Sequence, residues 1–193
     1  RETPRMMILL TVVIAAAIVV ALIYNQLVRD RNRVDAAWSD IDVQLQRRHD
    51  LIPQIVKAVD GYAGYEKATL EAITHLRNEA VRLTDDGDLE ALGRKEEALD
   101  KGVLQLIAIA EDYPDLKANE NFLNLQHELA ETENFLQSAR RFYNGAVRQF
   151  NTRVESVPSN IVAGLFSFRQ RSFYQKASDD AGSVPIVELG SPE

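Results

Sequence analysis

The chain has 193 residues, of which 46% are apolar and 26% charged, and its formal net charge is −7. This length fits one domain with appendages, and the acidic balance argues against nucleic-acid binding, which needs a basic face that neutralises phosphates. No cysteine occurs in these residues, so disulfides, thiolate metal sites, a cysteine nucleophile and a lipid-modified cysteine are excluded within them.

An apolar segment follows a short flank of residues 1–5. Met6–Ile23 is apolar at every position except Thr11, and a helix of this length spans roughly 27 Å, close to the thickness of a hydrocarbon core. A cleaved signal peptide is the alternative, but its apolar run usually covers about 7–15 residues and ends at a small-residue cleavage site. We therefore predict a single-pass membrane anchor. Its representative residues are Met6, Ile14, Ile18, Ile23 and Tyr24.

Arginines flank this segment on both sides. Arg1 and Arg5 precede it, whereas Arg29, Arg31 and Arg33 follow it. Since cytoplasmic flanks carry the excess of basic residues, the pattern favours a cytoplasmic location for the larger part of the chain. A periplasmic location stays open.

A heptad-like seam follows the anchor. It consists of Leu27, Val34, Trp38, Ile41 and Leu45. Such spacing is typical of a helix that packs along one face, and Arg31 is expected to fill the missing slot. No glycine or proline interrupts residues 6–50, so we predict that the anchor helix continues as a stalk whose seam contacts a second copy.

A second helix is expected to begin at Asp50. This residue is a suitable N-cap, and Pro53 would lie in the first turn, where its missing N–H costs little. Gly61 and Gly64 are expected to interrupt this helix only mildly.

Two further helices complete the body. The third covers about Leu89–Asp112, and the fourth is capped by Asn119 or Asn121 and runs to about Ser156. Long amphipathic helices with short links favour an antiparallel bundle. The predicted fold is therefore all-α: an N-terminal transmembrane helix continuing into a four-helix bundle, a short C-terminal amphipathic segment, and a flexible or extended tail over residues 175–193.

The sequence contains no recognisable catalytic or metal-binding motif. A di-iron bundle needs a glutamate three residues before a histidine, and none precedes His49, His75 or His127 in this way. Nor do the common hydrolase, zinc-protease or P-loop motifs occur. We predict no catalytic residues, no metal and no cofactor.

The segment SNIVAGLFSFRQRSFY, residues 159–174, concentrates aromatic and basic side chains near the end of the body. One interpretation is local packing, with Pro158 ending the fourth helix and a short fifth helix folding back onto the bundle. The other is a contact with a second copy or with the membrane surface, because an up-down topology returns this segment to the membrane-proximal end. The predicted interaction patch comprises Ile161, Leu165, Phe166, Phe168, Arg169, Arg171, Phe173 and Tyr174.

Two long stretches resemble the LemA family. They are YNQLVRDRNRVDAAWSDIDVQLQRRHDLIPQIVKAVDGYAGYE and LKANENFLNLQHELAETENFLQSARRFYNGAVRQFNTRVESVPSNIVAGLFSF, and the resemblance covers residues 24–174. Within this range Asp85–Gly102 follows no recognised motif of the family, and the tail beyond Gln175 lies outside the resemblance. The resemblance implies a bacterial membrane protein with a helical bundle, and it supplies no catalytic residues.

These observations predict a non-enzymatic scaffold or interaction protein that is anchored in the bacterial inner membrane and assembles with itself. Its expected partners are the lipid bilayer, a second copy and another membrane protein. The alternatives are an accessory or sensor subunit of a membrane enzyme such as a protease, and a cryptic enzyme or metal-binding bundle.

Overall fold

A computed structural model of the chain describes residues 3–61, 67–86 and 88–174. These residues contain no strand, which confirms the all-α class. Within the described residues six helices follow one another: α1 Thr3–Asp60, α2 Lys67–Asp86, α3 Leu89–Ala110, α4 Pro114–Lys117, α5 Glu120–Glu155 and α6 Ser159–Leu165.

The described residues form two compact units. The first comprises the described parts of Arg1–Arg48 and Leu129–Phe173, and the second those of His49–Glu128 and Tyr174–Glu193. Each unit has its own set of buried apolar side chains. The predicted tail over residues 175–193 lies outside the described residues.

Helix α1 does not end where the sequence suggested. The predicted boundary at Asp50 is wrong, because α1 runs through Pro53 to Asp60, a length of 58 residues. Proline has no N–H, so the carbonyl oxygen four residues earlier, that of His49, loses its usual helical donor. Arg77 Nε from α2 donates to that oxygen at 3.1 Å, which satisfies the acceptor and lets the helix continue. The helix ends directly before Gly61 instead.

Side-chain caps fix the beginnings of α3 and α5. The Asp88 carboxylate accepts a hydrogen bond from the Ala91 N–H at 3.0 Å. Asn119 Oδ1 accepts one from the Phe122 N–H at 3.0 Å, so Asn119, and not Asn121, is the capping residue of the two that the sequence offered. Helix α3 ends at Ala110, two residues earlier than predicted.

The first unit packs α1 against α5 and α6. Buried side chains recur on α5 at intervals of seven residues, which places them on one helix face. The core consists of Leu27, Val34, Ile41 and Leu45 from α1, Leu136, Tyr143, Val147 and Phe150 from α5, and Val162 and Ala163 from α6.

The second unit pairs α2 with α3 beside the last turns of α1. Its core includes Leu51, Ile52, Ile55 and Val59 from α1, Leu70, Ile73 and Ala80 from α2, and Leu92, Leu99, Val103 and Leu106 from α3. One polar contact lies inside it: His49 Nε2 is 2.7 Å from Glu96 Oε1, and both side chains are at most 5% exposed. At the surface, Lys95 Nζ donates to Glu79 at 2.9 Å, and this hydrogen bond lowers the pKa of the Glu79 carboxyl.

Candidate functional site

Residues 6–22 of α1 are exposed, unlike much of the helix that follows them. An 18-residue window there has a mean hydropathy of 3.1 and none of it is buried. Met6, Ile14 and Ile18 are 68%, 51% and 55% exposed, Ile23 is half-buried, and Leu27 is fully buried. By length and composition this segment can cross a membrane. The change from exposed apolar surface to protein core therefore occurs within about one helical turn.

The heptad-like seam lies inside the first unit. Leu27, Ile41 and Leu45 are 0% exposed, and Val34 is 2% exposed. Trp38 is half-buried, and its ring stands edge-on to Tyr143 at a centroid distance of 5.6 Å. Apart from the half-buried Trp38, the seam residues form part of the core of the first unit, and their contact with a second copy stays a prediction.

An aromatic cluster joins the end of the apolar segment to the residues after α6. The ring of Tyr24 lies 4.7 Å from that of Phe166 and 5.8 Å from that of Phe168. Phe168 also faces Phe150 at 6.4 Å, and the Arg31 guanidinium lies 5.6 Å above its ring. Such tilted and edge-on pairs are favourable ring arrangements. Phe168 is thus half-buried among these rings, whereas Phe166 contacts Tyr24 but remains 48% exposed.

Hydrogen bonds hold the residues that follow Phe168 against α5. Arg171 exchanges two bonds of 2.9 Å with the Asn151 side chain through its own backbone N–H and carbonyl, and its guanidinium pairs with Asp35 at 3.1 Å. The Tyr143 hydroxyl donates to the Ser172 carbonyl at 3.0 Å, and burial raises the pKa of this hydroxyl. Arg171 is therefore an intramolecular partner, not a free cation.

The remaining patch residues divide into exposed and buried ones. Ile161 and Leu165 are 69% and 73% exposed and lie one turn apart on α6, away from the buried Val162 and Ala163. Of the other patch residues, Arg169 is exposed and Phe173 is 40% exposed, whereas Tyr174 is 2% exposed. Val157, which the sequence reading missed, is 79% exposed in the turn before α6.

A buried carboxylate lies beside this surface. Asp30 is 4% exposed and accepts hydrogen bonds from Gln26 Nε2 at 3.2 Å, from Gln149 Nε2 at 3.3 Å and from Arg153 Nε. The heptad-like seam has a gap between Leu27 and Val34. Asp30 fills this gap on the buried helix face, and not Arg31 as predicted, because Arg31 is exposed. The signal was present in the sequence, since a residue three positions after Leu27 shares its helix face.

A groove of about 760 Å³ opens next to this network, between α1, α5 and the turn before α6. Leu22 and Ile23 line it from the apolar segment, and Val157 lines it from the turn. Arg148 and Arg153 line it from α5. One groove thus combines apolar and cationic walls at the place where the apolar segment ends.

Nothing in the described part of the chain groups three or more metal-binding side chains. That the protein uses no metal and no cofactor stays a prediction.

An exposed apolar segment at the head of an all-helical fold is typical of a membrane-associated helical protein. A sequence model of the LemA family matches residues 37–189, and the chain belongs to that family. This confirms the resemblance from residue 37 onward and extends it, since the match also covers Asp85–Gly102 and continues beyond Gln175.

The chain is similar to several named proteins at low sequence identity, and each alignment covers most of both chains. Protein LemA of Metamycoplasma hominis is 26% identical over 165 residues, which cover 86% of this chain and 74% of that protein. Magnetosome protein MamQ 2 of Paramagnetospirillum magneticum is 24% identical over 219 residues, covering 96% of this chain and 80% of that protein. Magnetosome protein MamQ of Magnetospirillum gryphiswaldense is 22% identical over 212 residues, covering 97% and 77%. None of these names is that of an enzyme.

Proposed function

We propose that the chain is a non-enzymatic scaffold held at the bacterial inner membrane by residues 6–23. The observation that carries this proposal is the division of α1, whose apolar window is 0% buried while Leu27 is 0% exposed. Exposing apolar surface to water costs about 25 cal/mol per Å². A lipid environment removes that cost and leaves the core of the first unit intact.

Charges placed in the apolar segment test the anchor. Ala16→Asp together with Ile18→Asp should move the protein to the soluble fraction, because each mid-bilayer charge costs about 3 kcal/mol. Val43→Asp is the matched control, since Val43 is also apolar and 60% exposed on α1 but lies beyond the segment. Retention of the double variant in carbonate-washed membranes would contradict the proposal.

Orientation is the second element of the proposal. Arg29, Arg31 and Arg33 follow the anchor and support a cytoplasmic location for the larger part of the chain. A single cysteine at Val43 in this cysteine-free sequence should resist a membrane-impermeant maleimide in intact spheroplasts and react after lysis. Reaction before lysis would place it on the periplasmic side.

Self-assembly is the third element. Since the seam is buried, we assign the contact to exposed aromatic residues on α5, where Phe135 and Phe142 are 56% and 48% exposed and lie seven residues apart on one face. Exposed aromatic side chains are enriched at the centres of interfaces.

The mass of the intact protein in nanodiscs tests this element. A discrete oligomer should dissociate in Phe135→Ser/Phe142→Ser and persist in the control Leu123→Ser, whose residue is 47% exposed on the same helix. A monomer throughout would contradict self-assembly. Co-purification of that monomer with a different membrane protein would favour the accessory-subunit alternative.

A further inference from the structure

The groove beside Asp30 begins at the apolar segment. Leu22 and Ile23 form part of its wall, and they are among the last residues of Met6–Ile23. When that segment lies in a bilayer, this part of the groove lies at the level where acyl chains meet the glycerol and phosphate groups. The ligand with access to it from the membrane is therefore a phospholipid.

Exposed side chains next to the groove extend its apolar part. Val157 belongs to the wall and is 79% exposed, and Ile161 and Leu165 follow at intervals of four residues with similar exposure. The aromatic contact of 4.7 Å between Tyr24 and Phe166 fixes the end of α6 at the end of the apolar segment. These apolar side chains are thus suitably placed to meet acyl chains.

The α5 side of the groove is cationic, and Arg153 on it pairs with Asp30, about two helical turns beyond Ile23 on α1. Arg153 is neutralised by the buried Asp30, so its charge is already balanced. Arg148 is exposed, and within the described residues it forms no hydrogen bond or ion pair. The groove therefore presents one uncompensated positive charge beside polar side chains that include Gln149.

We propose that this groove binds the head group of an anionic phospholipid, with the phosphate at Arg148 and the acyl chains along Leu22, Ile23 and Val157. The order of the walls, from apolar at the membrane segment to cationic beyond it, matches the order of groups in a phospholipid. Basic pockets beside membrane helices bind anionic head groups in the same way. This inference rests on the proposed membrane anchor and adds a ligand to it.

Two variants of different kinds test the site. Arg148→Gln removes the charge, and Arg141→Gln is its matched control, because Arg141 is exposed on the same helix and contacts Ser138 outside the groove. Gly145→Leu fills the groove without changing charge. A Cβ at Gly145 would meet no atom within 4 Å, and leucine is a better helix former than glycine, so this variant is expected to fold.

The full chain is inserted into nanodiscs made from equal parts of phosphatidylglycerol and phosphatidylcholine, and native mass spectrometry counts the lipids retained on release. The wild type and Arg141→Gln should retain phosphatidylglycerol preferentially. Arg148→Gln should lose about fivefold of that preference, and Gly145→Leu should retain less of either lipid. Excess inorganic phosphate should not displace the lipid.

Equal retention of both lipids by the wild type, or an unchanged preference in Arg148→Gln, would overturn the inference. Displacement by inorganic phosphate would also overturn it, in favour of a soluble anion site. A chain that inserts but shows no lipid preference refutes this inference alone. A chain that does not insert into the nanodisc refutes the proposed anchor.

Discussion

The Arg77 guanidinium donates a hydrogen bond of 3.1 Å to the backbone carbonyl oxygen of His49. In an uninterrupted helix this oxygen would accept from the N–H of residue 53, which is a proline and has none. A long-range side chain thus replaces a missing helical donor. Arg77→Met should lower the free energy of unfolding by about 1–2 kcal/mol, since it leaves a buried acceptor unpaired. Denaturant unfolding of the detergent-solubilised chain, followed by circular dichroism, measures the loss.

The same contact predicts an interaction with the proline. In Pro53→Ala, the new N–H can bond to the His49 carbonyl within α1, so Arg77→Met should cost less in that background than in the wild type. A double-mutant cycle gives the difference. Strict additivity of the two changes would show that Arg77 stabilises the helix in some other way.

Glu96 and His49 form a buried polar contact of 2.7 Å in the same unit. Glu96→Ala should destabilise the chain by about 3 kcal/mol, because it leaves a buried imidazole without its partner. The loss would be measured in the same unfolding assay. Glu90→Ala on α3 is the control and should have little effect, since Glu90 is 81% exposed and pairs with Arg94 one turn away. Similar losses in both variants would rule out a special contribution from burial.

Asp30 organises the polar network next to the groove. Asp30→Ala should cost about 2–4 kcal/mol, since Gln26, Gln149 and Arg153 would lose one shared acceptor. The midpoint of thermal unfolding should fall accordingly. Asp40→Ala is the matched change at an exposed position of the same helix and should leave the midpoint nearly unchanged.

The buried hydroxyl of Tyr143 should make the folded chain less stable at high pH. Burial raises the pKa of its hydroxyl above the ordinary value of 10.0, so the folded chain keeps this proton at a pH where the unfolded chain releases it. The free energy of unfolding should be unaffected by this group below pH about 10 and should fall as the pH rises further. Tyr143→Phe should show a shallower fall. If the free energy of unfolding fell equally steeply with pH in the wild type and in Tyr143→Phe, the loss would not come from the Tyr143 hydroxyl.

Local signals predicted most of the helices. Asn119 was identified as a candidate cap because its side chain can accept from the first turn, and the apolar period located α3 and α5. The predicted break at Asp50 failed because Pro53 usually ends or begins a helix, and only a donor 28 residues away, Arg77, removes that restriction. Local sequence carries no information about such a donor.

The site was less predictable than the fold. A heptad-like spacing shows that Leu27 and Ile41 share a buried face, but the same pattern serves a partner helix in the same chain or in another one. The aromatic content of residues 159–174 indicated a contact surface, whereas the division between Phe168, which packs between Tyr24 and Phe150, and Leu165, which is exposed, depends on packing. The groove arises from three segments and has no linear signature.

The unbroken course of α1 from Thr3 to Arg48 within one unit also has a mechanical consequence. Between Ile23 and Leu45 the helix advances about 33 Å with no glycine or proline at which to bend. A change of about 10° in the tilt of the membrane segment would displace Leu45 sideways by about 6 Å. If Met6–Ile23 spans a bilayer as proposed, a change in its tilt, to which bilayer thickness contributes, would therefore shift the core of the first unit relative to the membrane.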